Sequence, residues 1–206
     1  MVINIFIKPE RKRPLIPVER LEFTTHGIIG NVSCLPLRQV LILPTGVLKE
    51  FQLKPGDLRE NLVIHYDALH ELPSGTVLRV GEARIRLTFH CEPCTNIKDK
   101  VKTVAILHKR GYLGKFLNQG AIRIGDEIEN LGVMFEPIPY NLKERLLWYL
   151  SRQDKPIFLT QVLAECGFSL TYARAVPNIL KSMPKAIRDK VLFKSRKMAL
   201  ISKVER

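Results

Sequence analysis

The chain has 206 residues, 46% hydrophobic and 26% charged, with a formal net charge of +13. This is an ordinary globular balance for one large domain or two small ones, with no internal repeat and no low-complexity segment. No apolar run nears the roughly 18 residues needed to span a bilayer. At the start of the chain the charges follow a short apolar stretch instead of preceding it, so no signal peptide and no membrane partner are expected, and the reading is cytoplasmic. The charge is uneven: residues 141–206 hold 14 Lys+Arg against 5 Asp+Glu, a net of +9, and residues 1–140 carry the remaining +4. Positive charge on this scale favours anionic partners: nucleic acid, phosphate-bearing cofactors or acidic membranes. The four cysteines, Cys34, Cys91, Cys94 and Cys166, are expected as thiols, with Cys34 and Cys166 as small buried residues.

Residues 1–135 read as strand-rich. Residues 2–7 are β-branched and apolar, and 39–43 form an apolar run closed by Pro44-Thr45-Gly46. Segments 76–80 and 83–89 flank the turn signal Gly81-Glu82. Ile85, Leu87 and Phe89 alternate with Arg84, Arg86 and Thr88, which predicts one buried and one wet face. Gly56, Gly75, Gly81, Gly111, Gly120 and Gly125 punctuate at short intervals, as in a β-barrel-like fold. Segments 48–53 and 95–101 fit short helices. The predicted fold class is therefore mainly β over 1–135, followed by a small helical domain over 141–206. Pro137 and Pro139 form a stiff linker between them. Asn141 can cap a helix from 142 to about 151, with Leu142, Leu146, Leu147 and Leu150 on one face. A second helix fits 159–166, closed by Gly167. A third fits 171–183, with Ser169 as its cap and Pro184 as its end. Residues 191–201 resemble a small hairpin with Lys194, Arg196 and Lys197 near its turn. Three helices and a basic hairpin outline a winged helix.

Several elements recur in a recognisable order. They are Lys8-Pro9, Gly27-Ile28-Ile29-Gly30, Arg38-Gln39-Val40-Leu41, the run Pro55 to Leu62, Leu72-Pro73-Ser74-Gly75-Thr76, Gly81-Glu82-Ala83, Pro93-Cys94, Arg110-Gly111 and Ile122 to Asp126. This series, over about residues 1–132, resembles the MOSC domain, named for the C-terminal domain of molybdenum cofactor sulfurases. The resemblance implies a β-barrel-like fold whose cleft binds molybdopterin. It also implies one cysteine of a Pro-Cys element that carries a persulfide sulfur or ligates molybdenum, here Cys94. The chemistry agrees, because sulfur transfer and molybdenum both need a soft thiolate. A helix beginning at Thr95 would turn backbone N–H groups toward that sulfur. Lys8, Arg38, Arg59 and Arg110 are candidates for the cofactor phosphate, since arginine forks suit phosphate. Asp57 and Asn61 are candidates to fix the loop or to bind the pterin edges, and Asn61 has the further alternative of only capping local backbone. Each arginine has the alternative of a solvated surface charge, and Cys94 that of a buried structural cysteine.

Two departures from the MOSC pattern stand out. Gly27–Gly30 continues as Asn31-Val32-Ser33-Cys34 where an acidic residue is usual, and Arg59 stands where the pattern has glycine before Glu60-Asn61. Glycine there would permit positive φ or close ligand approach. Cys91 and Cys94 form a Cys-x-x-Cys pair beside His90, open to a metal clip, a redox dithiol, or Cys91 as a resolving thiol. No second such pair exists and the other histidines are scattered along the chain, so a zinc site is not expected.

Residues 160–180, with Ala173-Arg174-Ala175-Val176, resemble the DNA-binding part of O6-alkylguanine-DNA alkyltransferases. In that family the arginine, here Arg174, fills the space of a flipped base. The alkyl-acceptor Pro-Cys-His-Arg motif is absent. Two functions follow. One is a molybdenum-cofactor-binding sulfur carrier or oxidoreductase, with reduction of N-hydroxylated substrates among its reactions. No pyridoxal-phosphate desulfurase half is present, so a cysteine desulfurase or a molybdoenzyme is the expected partner. The alternative is a nucleic-acid-binding protein that uses Arg174, Lys194, Arg196 and Lys197, with the barrel as scaffold or sensor. No Gly-x-Ser-x-Gly, P-loop or dinucleotide element is present.

Overall fold

Apolar runs closed by glycine or proline become strands in the first of two units. The computed structural model describes residues 1–10, 13–32 and 35–193, which divide into units Met1–Ile138 and Pro139–Arg206. In the first unit the elements are β1 (Val2–Ile7), β2 (Ile16–Val18), β3 (Arg20–Thr24), β4 (Gly27–Ile28), β5 (Val40–Pro44), α1 (Thr45–Glu50), β6 (Leu62–Ile64), β7 (Thr76–Val80), β8 (Ala83–His90), β9 (Tyr112–Phe116), β10 (Gly120–Arg123) and β11 (Ile128–Met134). Eight strands form one curled half-barrel sheet in the order β11-β7-β8-β9-β5-β6-β1-β2, and β10-β3-β4 form a second sheet. All pairings in the large sheet are antiparallel except β5 with β6.

β5 reads as an unbroken apolar run because both of its faces are covered. Val40 and Ile42 face the core shared with the small sheet, alongside Leu21, Phe23, Ile122, Ile85 and Leu87. Leu43 faces a second cluster with Phe6, Val47, Leu48, Leu58, Ile97 and Ile106. The same alternation splits β6, with Leu62 and Ile64 on one side and Val63 on the other. A residue such as Ile42, fully buried, contributes roughly 1.5–3 kcal/mol by leaving water.

The alternation expected for β8 fails at Thr88. That residue is buried, and its hydroxyl donates to the carbonyls of Leu37 at 2.8 Å and Leu113 at 3.0 Å. A register shift between Leu87 and His90 interrupts the strand there. The helix expected over 48–53 forms earlier, as α1. The helix expected over 95–101 is only a 3-10 turn, Thr95–Ile97, followed by turns.

The second unit holds α2 (Leu142–Leu150), β12 (Ile157–Phe158), α3 (Leu159–Glu165), α4 (Val176–Lys181), α5 (Lys185–Arg188) and β13 (Val191–Leu192). Asn141 caps α2 by accepting from the Lys143 N–H at 2.8 Å. Gly167, at φ 71, closes α3. The third helix expected over 171–183 is two pieces: a 3-10 turn, Leu170–Arg174, and then α4 with Pro177 in its first turn. Proline lacks the N–H that an unbroken helix would use there. The start of the expected hairpin is β13, which pairs in parallel with β12; its remaining residues, Lys194, Arg196 and Lys197 included, lie outside the described residues, as does Cys34. Arg145, wholly buried, holds this unit's entry segment by donating to the carbonyls of Pro139 and Tyr140, both at 2.6 Å, and to that of Cys166 at 3.3 Å. No helix among the described residues is long and apolar enough to cross a membrane.

Candidate functional site

Cys94 sits just past the end of β8, half-buried, with its backbone extended at φ −144 and ψ 171. Arg110, 5% exposed, donates from Nη1 to the Cys94 Sγ at 3.2 Å and to the Glu92 carbonyl, and from Nη2 to the Leu58 carbonyl at 3.4 Å. One guanidinium thus ties together three of the sequence elements singled out above: 55–62, 93–94 and 110–111. Arg38 approaches from the segment before β5. Its Nη1 pairs with Glu92 Oε2 at 3.1 Å, and its Nη2 lies 3.7 Å from the Cys91 Sγ. Two cysteines, two arginines and one glutamate therefore form a single cluster. The single 3-10 turn after Cys94 is too short to act as a helix N-terminus, so the electrostatics at this sulfur come from side chains, Arg110 first.

Cys91 is 2% exposed, and burial pushes its thiol up against the pull of Arg110 and Arg38. Cys94, by contrast, is half-buried.

The remaining candidates are engaged elsewhere. Asn61 is buried; its Oδ1 accepts the Leu41 N–H at 3.1 Å and its Nδ2 donates to the Phe6 carbonyl at 3.1 Å, stitching β5 to β1. Asp57 accepts the Lys54 N–H at 2.9 Å and pairs with Lys100 at 2.7 Å. Burial alone would raise its carboxyl, but Lys100 and the Lys54 N–H outweigh that and lower it. Lys8 lies just past β1, where its N–H donates to Asn31 Oδ1 at 2.6 Å. Arg174 is exposed at the end of its 3-10 turn.

Arg59 donates to the Arg13 carbonyl at 2.9 Å and sits at φ 63, the left-handed region that glycine tolerates best. A side chain there costs roughly 1–2 kcal/mol. Arg59→Gly is accordingly expected to leave the melting temperature unchanged or raise it slightly, while Arg59→Val lowers it; a thermal melt of the three proteins checks this.

Two features escaped the sequence reading. Glu92 lies between the two cysteines and offers the counter-charge to Arg38; its position inside the Cys-x-x-Cys was the available signal. Three histidines distant in sequence also converge. The His90 ring stacks at 5.6 Å on His70, meets His108 edge-on at 5.8 Å and lies 4.4 Å from the Tyr112 ring. Among the described residues no three His, Cys, Asp or Glu side chains are arranged to hold a metal ion. Burial, then the neighbouring His90 and Lys109, push His70 from 6.5 down to about 4. Unfolded His70 takes up its proton as pH falls through 6.5, whereas the folded form resists until about 4. Its contribution is therefore present at neutral pH and lost as pH falls through that window. The melting temperature is expected to drop between pH 7 and pH 5, and His70→Gln is expected to flatten that drop in parallel thermal melts.

An open hollow of about 560 Å³ lies between Thr25, Pro36 and Gln39 on one side and Lys115, Phe116 and Leu117 on the other. Neither Cys94 nor Arg110 lines it.

With strands, arginine-bound thiol and loop contacts in place, the comparison with known families is informative. Residues 37–129 match the MOSC domain. The MOSC match begins after β4, so it covers Arg38, Asp57, Arg59, Asn61, Cys91, Cys94 and Arg110 and leaves Lys8 outside, a shorter span than the 1–132 expected. MOSC domains occur in molybdenum-cofactor-related proteins. The YuaD protein from Bacillus subtilis is similar in structure over 62% of this chain and 94% of its own, with 16% identity and a TM-score of 0.52. YiiM from Geobacillus stearothermophilus is similar over 87% of this chain and 98% of its own, with 15% identity and a TM-score of 0.53. A hypothetical protein of known structure is similar over 92% of this chain and 97% of its own, with 16% identity and a TM-score of 0.55. The last two alignments are too long for Met1–Ile138 alone and reach into the second unit. At such identities the likeness establishes a shared fold alone. No curated protein sequence matches the chain significantly.

Proposed function

We propose that the first unit is a sulfur carrier of molybdenum-cofactor metabolism, with Cys94 as the atom that receives and passes on sulfur. The observation that carries this reading is the contact of Arg110 Nη1 with Cys94 Sγ at 3.2 Å, at a residue that is only half-buried. The buried guanidinium would hold the sulfur in place for attack, and it is the thiolate form of a cysteine that attacks a persulfide. Cys94 would attack the terminal sulfur of a donor persulfide. The donor S–S bond breaks, the donor leaves as a thiolate, and Cys94 becomes the persulfide, with no net oxidation.

The donor set suits an anionic pterin cofactor: Arg38 and Arg110 for a phosphate, and Cys94 as a soft ligand. The Arg110 Nε is sealed from solvent without a hydrogen-bond partner, a donor still to be satisfied. Held by Arg38, Arg110 and Cys94, a molybdenum cofactor would supply a metal centre that accepts sulfur or oxygen. Arg110 would orient the sulfur, Glu92 would hold Arg38 until an anion replaces it, and Cys91 would stay sealed beneath. Lys8 and Arg59 would make no more than peripheral contributions.

The test is to purify the protein from a molybdenum-competent host and measure bound molybdenum, pterin fluorescence and Cys94 persulfide by mass spectrometry. The wild type is expected to carry persulfide and retain the pterin, and Cys94→Ala to lose the persulfide. Equal sulfur loading in the two proteins would refute the reading.

A further inference from the structure

The segment 95–109 lies between β8 and β9 and is flanked by Cys94 and Arg110, so the contact between those two residues closes its stem. Inside the segment, the Lys100 and Val101 N–H groups donate to the Ile97 carbonyl, and the Ala105 and Ile106 N–H groups donate to that of Lys102. Ile97 and Ile106, both fully buried, drop into the cluster beneath α1. This is a compact loop packed on its own side chains, with two apolar side chains left on its outer surface. Val104 is 85% exposed and Leu107 is 46% exposed. The loop carries Lys98, Lys100, Lys102 and Lys109 against the single acid Asp99; Lys100 pairs with Asp57 at 2.7 Å and Lys109 with Glu50 at 2.6 Å, which leaves Lys98 and Lys102 to face a partner.

A scattered exposed valine needs no explanation. Here two exposed apolar side chains share one anchored loop with exposed Lys98 and Lys102, and the loop stands on a stem made by the sulfur-bearing residue and its arginine. An apolar centre with a charged rim is the anatomy of a protein contact. The charge sign selects a partner with an acidic face. Two side chains offer too little apolar area to hold a protein on a bilayer, which favours a protein partner over a lipid surface.

We infer that loop 95–109 is the docking element for an acidic protein that delivers sulfur to Cys94. The inference rests on the reading of Cys94 as a sulfur carrier. Val104 and Leu107 enter an apolar recess on the donor, and Lys98 and Lys102 meet its carboxylates. The donor persulfide is thereby held over Cys94 for the exchange described above.

Two donors separate docking from chemistry: a cysteine desulfurase charged with radiolabelled sulfur, and glutathione persulfide, which is too small to need a docking surface. Two variants are compared with wild type, V104S/L107S and K98E/K102E, with circular dichroism to show that both are folded. Each variant is expected to load from the desulfurase at least about tenfold more slowly than wild type. Both should load from glutathione persulfide at the wild-type rate. The wild-type rate from the desulfurase should also fall as salt is raised, because lysine–carboxylate attraction is screened. Undiminished desulfurase loading in both variants overturns the inference, and so does wild-type loading from glutathione persulfide alone; either result leaves the sulfur-carrier reading standing. Binding of wild type but not V104S/L107S to phosphatidylserine vesicles overturns it in favour of a lipid surface. Loading from neither donor removes the sulfur-carrier reading, and the docking role with it.

Discussion

Arg110→Lys is expected to slow sulfur uptake by Cys94 by about ten- to a hundredfold while the chain still folds. The guanidinium reaches three acceptors at once: the Cys94 sulfur and the carbonyls of Glu92 and Leu58. Lysine keeps the positive charge but brings a single nitrogen on a flexible stem, and it cannot hold three acceptors spread over two loops. A hydrogen bond to a charged group is worth about 1.5–3 kcal/mol, which sets the range of the expected loss. Time-resolved mass spectrometry with glutathione persulfide as donor measures it, alongside a thermal melt. An Arg110→Lys protein that loads sulfur at the wild-type rate would show that positive charge near the sulfur suffices and that the fork geometry does not matter. Arg110→Ala is the harsher change, because it also strands two carbonyls at a buried position, and it is expected to lower stability as well as loading.

Asn61→Ala is expected to destabilise the first unit by about 3 kcal/mol. The side chain bridges the Leu41 N–H and the Phe6 carbonyl, both at 3.1 Å and both buried. Alanine leaves both groups without a partner, and each stranded buried group costs roughly 1–3 kcal/mol. For a unit of this size that loss corresponds to a melting temperature lower by roughly ten degrees. Asn61→Asp separates the two bonds. It keeps an acceptor for Leu41 but turns a second oxygen toward the Phe6 carbonyl, so it is expected to be at least as damaging as alanine. Melting curves for the two variants settle the order, and a variant as stable as wild type would mean that the amide is dispensable to the sheet.

The same residue shows how far a sequence motif carries. Asn61 stands in the segment from Pro55 to Leu62, whose order pointed to a cofactor loop, and it was a candidate for the pterin. The structure uses its amide to join two strands through Leu41 and Phe6, 20 and 55 positions away. Arg59 shows the converse: the family's glycine at that position is compatible with positive φ or with close ligand approach, and φ here is 63°. Backbone conformation of this kind is a local property and was accessible from the pattern.

What the sequence determined by itself was local. Alternating apolar residues marked β8, and an unbroken apolar run marked β5. Asn141 and Gly167 marked the start of α2 and the end of α3, because capping needs only neighbours in the chain. Proline inside 171–183 was equally visible, and its effect on the helix was underestimated. The tertiary structure decided what covers each face and where long side chains end. Thr88 lies on the face expected to be wet, yet it is buried by carbonyls from two distant segments. Arg110 meets Cys94 across 16 positions, Arg38 reaches Cys91 across 53, and three scattered histidines converge. Periodicity reports which way a side chain points from its own backbone. The partner it finds depends on which other segments the sheet order brings beside it, and that order is set by packing across the whole unit.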